Sequence, residues 1–359
     1  MLKEAPVWHI DDYISELEDK DVEPLTMKEC AEVAEDCLFG RSKAVALCIG
    51  NIDEKESHEV EQIISNRFLK KRPLTEDENP RFTALRMPTK AEAIDIYGPD
   101  VASNQVPIIL ESLAHSEDEE NNAVVVTMQT ASSTELGFEG LAVQELIGSM
   151  AYNSAFSQLR TKEQLGYIVS AFMKKAQGGG NGLNVLVQSS NTMPEQIEER
   201  CLSWIRQFRK ELEDYPDERF AQEAAAVRAS LLEKDVTLSE EISSVWSEIL
   251  ATVPHSEHFK NPVFDRIEKF ADVLDLERDE ETRTFRSASE LKQRVLDFYD
   301  KYFMDENAIR AVSARTYNHK AKEMFEGNIG KPGILSSYDD TRKLKQYLST
   351  LPTAPYWGR

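Results

Sequence analysis

The stretch from Ala123 to Val187 constrains the fold most, because its apolar period switches from strand-like to helical and back. Ala123 to Thr130 reads as a strand, after which Ser132, Ser133, Thr134 and Glu135 offer a helix start. From Leu136 the residues Leu141, Val143, Leu146, Ile147, Met150, Ala151, Phe156 and Leu159 form a broad apolar stripe. The spacing predicts a long helix with one buried face. Tyr167 to Phe172 and Leu183 to Val187 then read as two strands, and the run Gly178 to Gly182 allows positive φ and suits the turn of a hairpin.

Flanking segments extend the pattern. Thr26 with Glu29 forms a capping box before helical spacing at Cys30, Val33, Ala34, Cys37 and Leu38. A short apolar run from Ala44 to Ile49 suggests a strand, and Asp53 can cap a second helix carrying Val60, Ile63, Ile64 and Phe68. This predicts an α-β-α block. Pro73, Pro80 and Pro88 break regularity, so a domain boundary is expected there, dividing the chain into 1–88 and 89–359. Helices are expected at 194–215, 217–233 and 238–251, another at 289–303 behind the box Ser287 to Glu290, and a last strand at 308–313. That order suits an α+β fold, a mostly antiparallel sheet with helices packed on one face, better than a doubly wound parallel one.

A chain of 359 residues with 41% hydrophobic content can form more than one core. Its net charge of -22 leaves no basic face for nucleic acid, and a membrane surface is an equally poor partner. The first residues have neither a positive leader nor an apolar core, and no stretch approaches the ~20 apolar residues of a spanning helix, so a soluble, cytoplasmic protein is expected. Cys30, Cys37, Cys48 and Cys201 lack the paired spacings of a zinc or redox site and read as ordinary thiols.

Most candidate chemistry fails on inspection. The glycines from Gly178 to Gly182 are not followed by the Lys-Ser/Thr of a P-loop. His58-Glu59-Val60-Glu61-Gln62 lacks the second histidine of an inverted zinc motif, which leaves His58 a surface residue. His255 and His258, near Pro254 and Pro262, have no evident third ligand and read as part of a solvated turn. No Gly-x-Ser-x-Gly elbow is present, and Cys201 beside Trp204 and Ile205 reads as packed. No metal ligand is therefore expected in this chain. What remains is the polar connection from Leu159 to Val169, where Arg160 closes a helix and Tyr167 opens a strand. A guanidinium and a phenol are donors suited to an oxyanion. The residues alone favour a structural role, with Arg160 complementing the helix dipole and Tyr167 packing at a sheet edge.

The same segment, Leu-Arg-Thr-Lys-Glu-Gln-Leu-Gly-Tyr-Ile-Val, resembles the signature of the C-terminal half of insulin-degrading enzyme and its pitrilysin-type (M16) relatives. The resemblance extends to Phe156, Gly182-Leu183, Val187-Gln188-Ser189 and Gly50-Asn51-Ile52. It implies four similar α+β domains in two bowl-shaped halves, of which this chain matches the later part of the third and the whole of the fourth. By the same resemblance, Zn²⁺ is bound by the absent N-terminal half through His-x-x-Glu-His and a downstream glutamate. Tyr167 would donate to the oxyanion of a cleaved peptide, Arg160 would contact the substrate backbone or the same charge, and Phe156 would face substrate or sit in the core. The implied partners are peptide substrates and the zinc-binding half. A non-catalytic binding or scaffold subunit is the competing reading, since the chain has no zinc motif. Here the residues before Arg160 depart from the family pattern, and Trp357-Gly358-Arg359 is no peroxisomal tripeptide.

Overall fold

The computed structural model describes residues 14, 26–39, 44, 46–68, 84–175, 180–250 and 262–352. Along the chain run α1 (Met27–Phe39), α2 (Glu54–Phe68), α3 (Lys90–Tyr97), β1 (Ile108–Leu113), β2 (Asn122–Ser132), α4 (Ser133–Ala155), β3 (Ile168–Lys175) and β4 (Gly180–Ser189). There follow α5 (Pro194–Asp214), α6 (Asp217–Leu231), α7 (Leu238–Leu250), α8 (Pro262–Val273), α9 (Ala288–Tyr299), β5 (Arg310–Tyr317), α10 (Lys322–Glu326), β6 (Ile334–Leu335) and α11 (Tyr338–Lys345). The described residues form two compact units. One holds 84–175, 180–233 and 262–352, and the other holds 14, 26–39, 44, 46–68 and 234–250, so α7 groups with α1 and α2.

In the smaller unit both helix starts are capped as their sequences dictate. Glu29 N–H donates to Thr26 Oγ1 at 3.2 Å while Thr26 N–H donates to Glu29 Oε2 at 2.8 Å. Asp53 and Glu56 make the same reciprocal pair at 2.8 and 2.9 Å. The expected strand from Ala44 to Ile49 does not form among the described residues of that run. Ala44, Ala46 and Cys48 are exposed and no described strand pairs with the run, so its apolar content gains nothing from an extended ladder.

The larger unit is built on one six-stranded sheet of order β3-β4-β2-β5-β1-β6. The β3/β4, β4/β2 and β2/β5 pairs are antiparallel, whereas β1 runs parallel to both β5 and β6. Register places Val124, Val126 and Met128 of β2 beside Val187, Val185 and Leu183 of β4, with Val169 and Ala171 of β3 on the same face. Against this face pack Leu146, Ile147 and Met150 of α4 and Ile197, Trp204 and Phe208 of α5, all in one buried cluster. Burying each such side chain contributes about 1.5–3 kcal/mol. A smaller cluster, with Ile108 of β1, Val312 of β5, Ala93 of α3 and Leu344 of α11, covers the β1 end of the other face.

A charged network ties β5 to α5. Arg315 Nε and Nη2 grip Glu198 at 2.9 and 2.8 Å, and Nη1 reaches Glu111 on β1 at 3.0 Å. Both carboxylates are buried. Burial opposes the charge on Arg315, but the Glu198 carboxylate more than offsets this and holds the guanidinium above its ordinary pKa. Among the described residues no helix is long and apolar enough to cross a membrane.

Candidate functional site

Helix α4 begins at the box its sequence announces, with Glu135 N–H donating to Ser132 Oγ at 3.2 Å and Ser132 N–H to Glu135 Oε2 at 2.9 Å. It does not stop at Ala155. Phe156–Lys162 continues it as a π-helical turn, a wider coil found mostly as single turns and often at functional sites. The turn closes through Glu163 N–H to the Gln158 carbonyl at 3.0 Å and Leu165 N–H to the Leu159 carbonyl at 2.9 Å. Gln164 reverses the chain with φ +52°, the left-handed conformation usual just past a helix end but uncommon for a residue other than glycine.

Gly166 then brings the backbone against β4. A Cβ there would lie 2.1 Å from the carbonyl oxygen of Gln188, so no larger residue fits without moving one of the two backbones. Tyr167 follows at the mouth of β3, the edge strand, with 81% of its surface exposed.

Helical spacing puts Tyr152, Phe156 and Arg160 in one row. The Tyr152 and Phe156 rings stack with centroids 6.4 Å apart. The Arg160 guanidinium lies 4.8 Å from the Phe156 centroid and 4.8 Å from that of Tyr167, a cation between two aromatic faces. Among the described residues nothing accepts a hydrogen bond from the Arg160 side chain. A cation–π contact consumes no N–H donor, so the guanidinium keeps its N–H groups for another acceptor, beside a phenol that is itself exposed. Together these groups can bind an anionic or carbonyl oxygen. Phe156 is engaged by both Tyr152 and Arg160 and is half-buried.

Two residues that the sequence did not single out hold this junction. Glu163 accepts from Arg200 Nε and Nη2 of α5 at 2.8 and 2.7 Å and from Gln158 Nε2 at 2.8 Å. The Arg200 hydrogen bonds hold its carboxyl below the usual carboxylate range. Glu163 lies inside the quoted motif, but its partner is 37 residues away and no local spacing points to it.

The other candidates are not drawn to this place. His58 is exposed on α2, where its Nδ1 lies 3.7 Å from Glu61. Cys201 is buried in α5, and burial pushes its thiol well above its ordinary pKa. His255, His258, Gly178 and Gly179 lie outside the described residues. Gly180 and Gly182 belong to β4 and not to a turn as expected. A Cβ on Gly182 would stand 2.7 Å from the Met128 carbonyl, so this glycine serves close strand contact. Among the described residues no group of three or more His, Cys, Asp or Glu side chains could hold a metal ion.

Comparison with known proteins bears on this geometry. Residues 146–246, which contain Arg160, Glu163, Tyr167 and Arg200, match the family model described as PQQ synthase PqqF-like, C-terminal lobe domain 4. The A-factor-processing enzyme of Saccharomyces cerevisiae is 28% identical over 188 residues, 52% of this chain and 16% of that protein. A nardilysin-like protein of Arabidopsis thaliana is 26% identical over 262 residues, 72% of this chain and 22% of its own length. Insulin-degrading enzyme of Homo sapiens is 35% identical over 107 residues, 30% of this chain and 10% of the enzyme. The chain thus matches less than a quarter of the length of each of these relatives. The crystal structure of pitrilysin superposes on 99% of the chain with a TM-score of 0.65 at 18% identity, covering 32% of that structure and sharing the fold. Residues 146–246 are accordingly a PqqF-like C-terminal-lobe domain, and the chain is homologous to part of insulin-degrading enzyme and of a nardilysin-like protein and shares the fold of pitrilysin.

Proposed function

We propose that this chain is the C-terminal part of a zinc metalloendopeptidase and supplies Arg160 and Tyr167 to an active site completed by an N-terminal half. The observation that carries this reading is the Arg160 guanidinium lying over the Phe156 and Tyr167 rings with its N–H groups unclaimed among the described residues. A buried arginine kept for structure would spend those donors on a carboxylate, as Arg315 does. The described residues do not fit zinc, so the metal and its ligands belong to the other half in this reading.

The chain's own groups then have defined tasks. The Tyr167 O–H donates to the oxygen of the scissile peptide carbonyl as negative charge builds there, and the in-plane N–H groups of Arg160 hold the neighbouring peptide backbone or the same oxygen. Donors fixed before the reaction begins cost no reorganisation when charge develops. The uncovered face of β3, with Ile168 and Phe172 exposed, offers an apolar wall for an extended peptide. A binding or scaffold subunit has no need of an open fork beside a phenol.

Zinc stoichiometry and peptide cleavage test the proposal. The pure chain is expected to bind no stoichiometric zinc and to leave peptides intact, and cleavage is expected once it is combined with its N-terminal half. Tight one-to-one zinc with chelator-sensitive cleavage by the chain alone would overturn the division of labour.

A further inference from the structure

The side chains of Arg160 and Tyr167 make no hydrogen bond to the body of the domain among the described residues, yet the proposed chemistry requires both to be fixed. What fixes them lies between them. Glu163 is three residues after Arg160 and four before Tyr167. It is joined by two charge-assisted bonds to Arg200, and the fork-to-carboxylate geometry fixes direction as well as distance. Arg200 stands one residue before Cys201 and four before Trp204, which are buried in the main core. The pair therefore fastens the turn to a helix anchored in the main core.

Gln158 extends the attachment. Its Nε2 donates to Glu163 at 2.8 Å, while its Oε1 accepts from Gln207 Nε2 of α5 at 3.3 Å. From Glu163 the chain has only Gln164, at positive φ, and Leu165 to cross before Gly166 meets the Gln188 carbonyl. A displacement of Glu163 is thus transmitted to both flanks, backward through the π-helical turn to Arg160 and forward to the phenol.

We infer that Glu163 and Arg200 form a positioning latch that sets the Arg160 guanidinium against the Tyr167 ring. Neither latch residue touches substrate. The kinetic consequence rests on the function proposed above, but the structural one does not. With the latch opened, the π-helical turn is free to wander and the stack that presents the donors dissolves, while the core of α4 and α5 stays folded.

The experiment uses the full chain labelled with ¹³C and ¹⁵N arginine, because a side chain held between two ring faces shows upfield-shifted Cδ protons. Glu163→Gln is expected to return the Arg160 signals to ordinary positions with the far-UV spectrum unchanged, Arg200→Lys to do so partly, and the exchanged pair Glu163→Arg with Arg200→Glu to restore them. Wild-type Arg160 signals in Glu163→Gln would overturn the latch. A second arm measures peptide cleavage by the chain combined with its zinc-bearing half. There Glu163→Gln is expected to lower kcat about 10- to 100-fold with KM nearly unchanged, in keeping with the cost of misplacing a reacting group by about 1 Å, and the exchanged pair to recover it. Collapsed Arg160 signals with full turnover would support the latch and refute the catalytic reading of Arg160 and Tyr167.

Discussion

Replacing Gly166 with alanine probes the point where the site is pressed against the sheet. The added Cβ would start 2.1 Å from the Gln188 carbonyl oxygen and 2.9 Å from its carbon. A carbon and a carbonyl oxygen sit comfortably at about 3.3 Å, so the start of β3 must withdraw from β4 by about 1.2 Å. Val187 Cγ1, 3.3 Å from the same position, narrows the directions of escape. Overpacking of this kind costs about 1–3 kcal/mol, and because the obstacle is backbone the upper end applies. The adjacent Tyr167 moves with its backbone, and a displacement near 1 Å costs on the order of 10²-fold in turnover. Chemical denaturation of the chain gives the stability change, and the kcat of the completed peptidase gives the second. Gly166→Ala with an unchanged denaturation midpoint would refute the close approach. A destabilised variant with undiminished kcat would refute the claim that this approach places Tyr167.

Three further outcomes follow from the geometry. Arg315→Leu strands the buried Glu198 carboxylate and takes the cation from Glu111, which keeps only the neutral donors Tyr317 and Asn328, and is expected to cost about 3–5 kcal/mol in denaturant unfolding; a loss below about 1 kcal/mol would contradict the pairing. Ser132→Ala removes the oxygen that receives the Glu135 N–H at the start of α4 and should cost about 1 kcal/mol, against no change if the cap contributes nothing. Because Arg200 holds the Glu163 carboxyl below its ordinary value, the latch is intact at neutral pH and is lost only as pH falls below about 4.3 toward the lowered pKa. The Arg160 signals should therefore survive at pH 5, and their loss above pH 5 would contradict the pairing.

What the sequence disclosed and what it hid follow from the range of the interactions. Helix α4 with its start in the cluster Ser132 to Glu135, and the box at Ser287, rest on contacts three residues apart and were legible. Strands β1 and β6 were not anticipated, because they join the sheet through parallel pairing to β5 and to each other, across hundreds of residues. The glycines at 180 and 182 read as a turn because closeness of Gly182 to the Met128 carbonyl leaves no local trace. At the site, Arg160 and Tyr167 were legible as a motif and Phe156 as its upstream aromatic. The π-helical turn, the left-handed Gln164 and the partnership of Glu163 with Arg200 were not, since each depends on how the end of α4 lies against α5.

The most direct test is the kcat of Tyr167→Phe in the peptidase completed by its zinc-bearing half, with the denaturation midpoint measured in parallel. The phenol is exposed and has no described hydrogen-bond partner, so removing its oxygen should leave stability within about 0.5 kcal/mol. Loss of a donor to the developing oxyanion should lower kcat roughly 10²- to 10³-fold. Wild-type turnover in a stably folded Tyr167→Phe enzyme would contradict the proposed role of this chain.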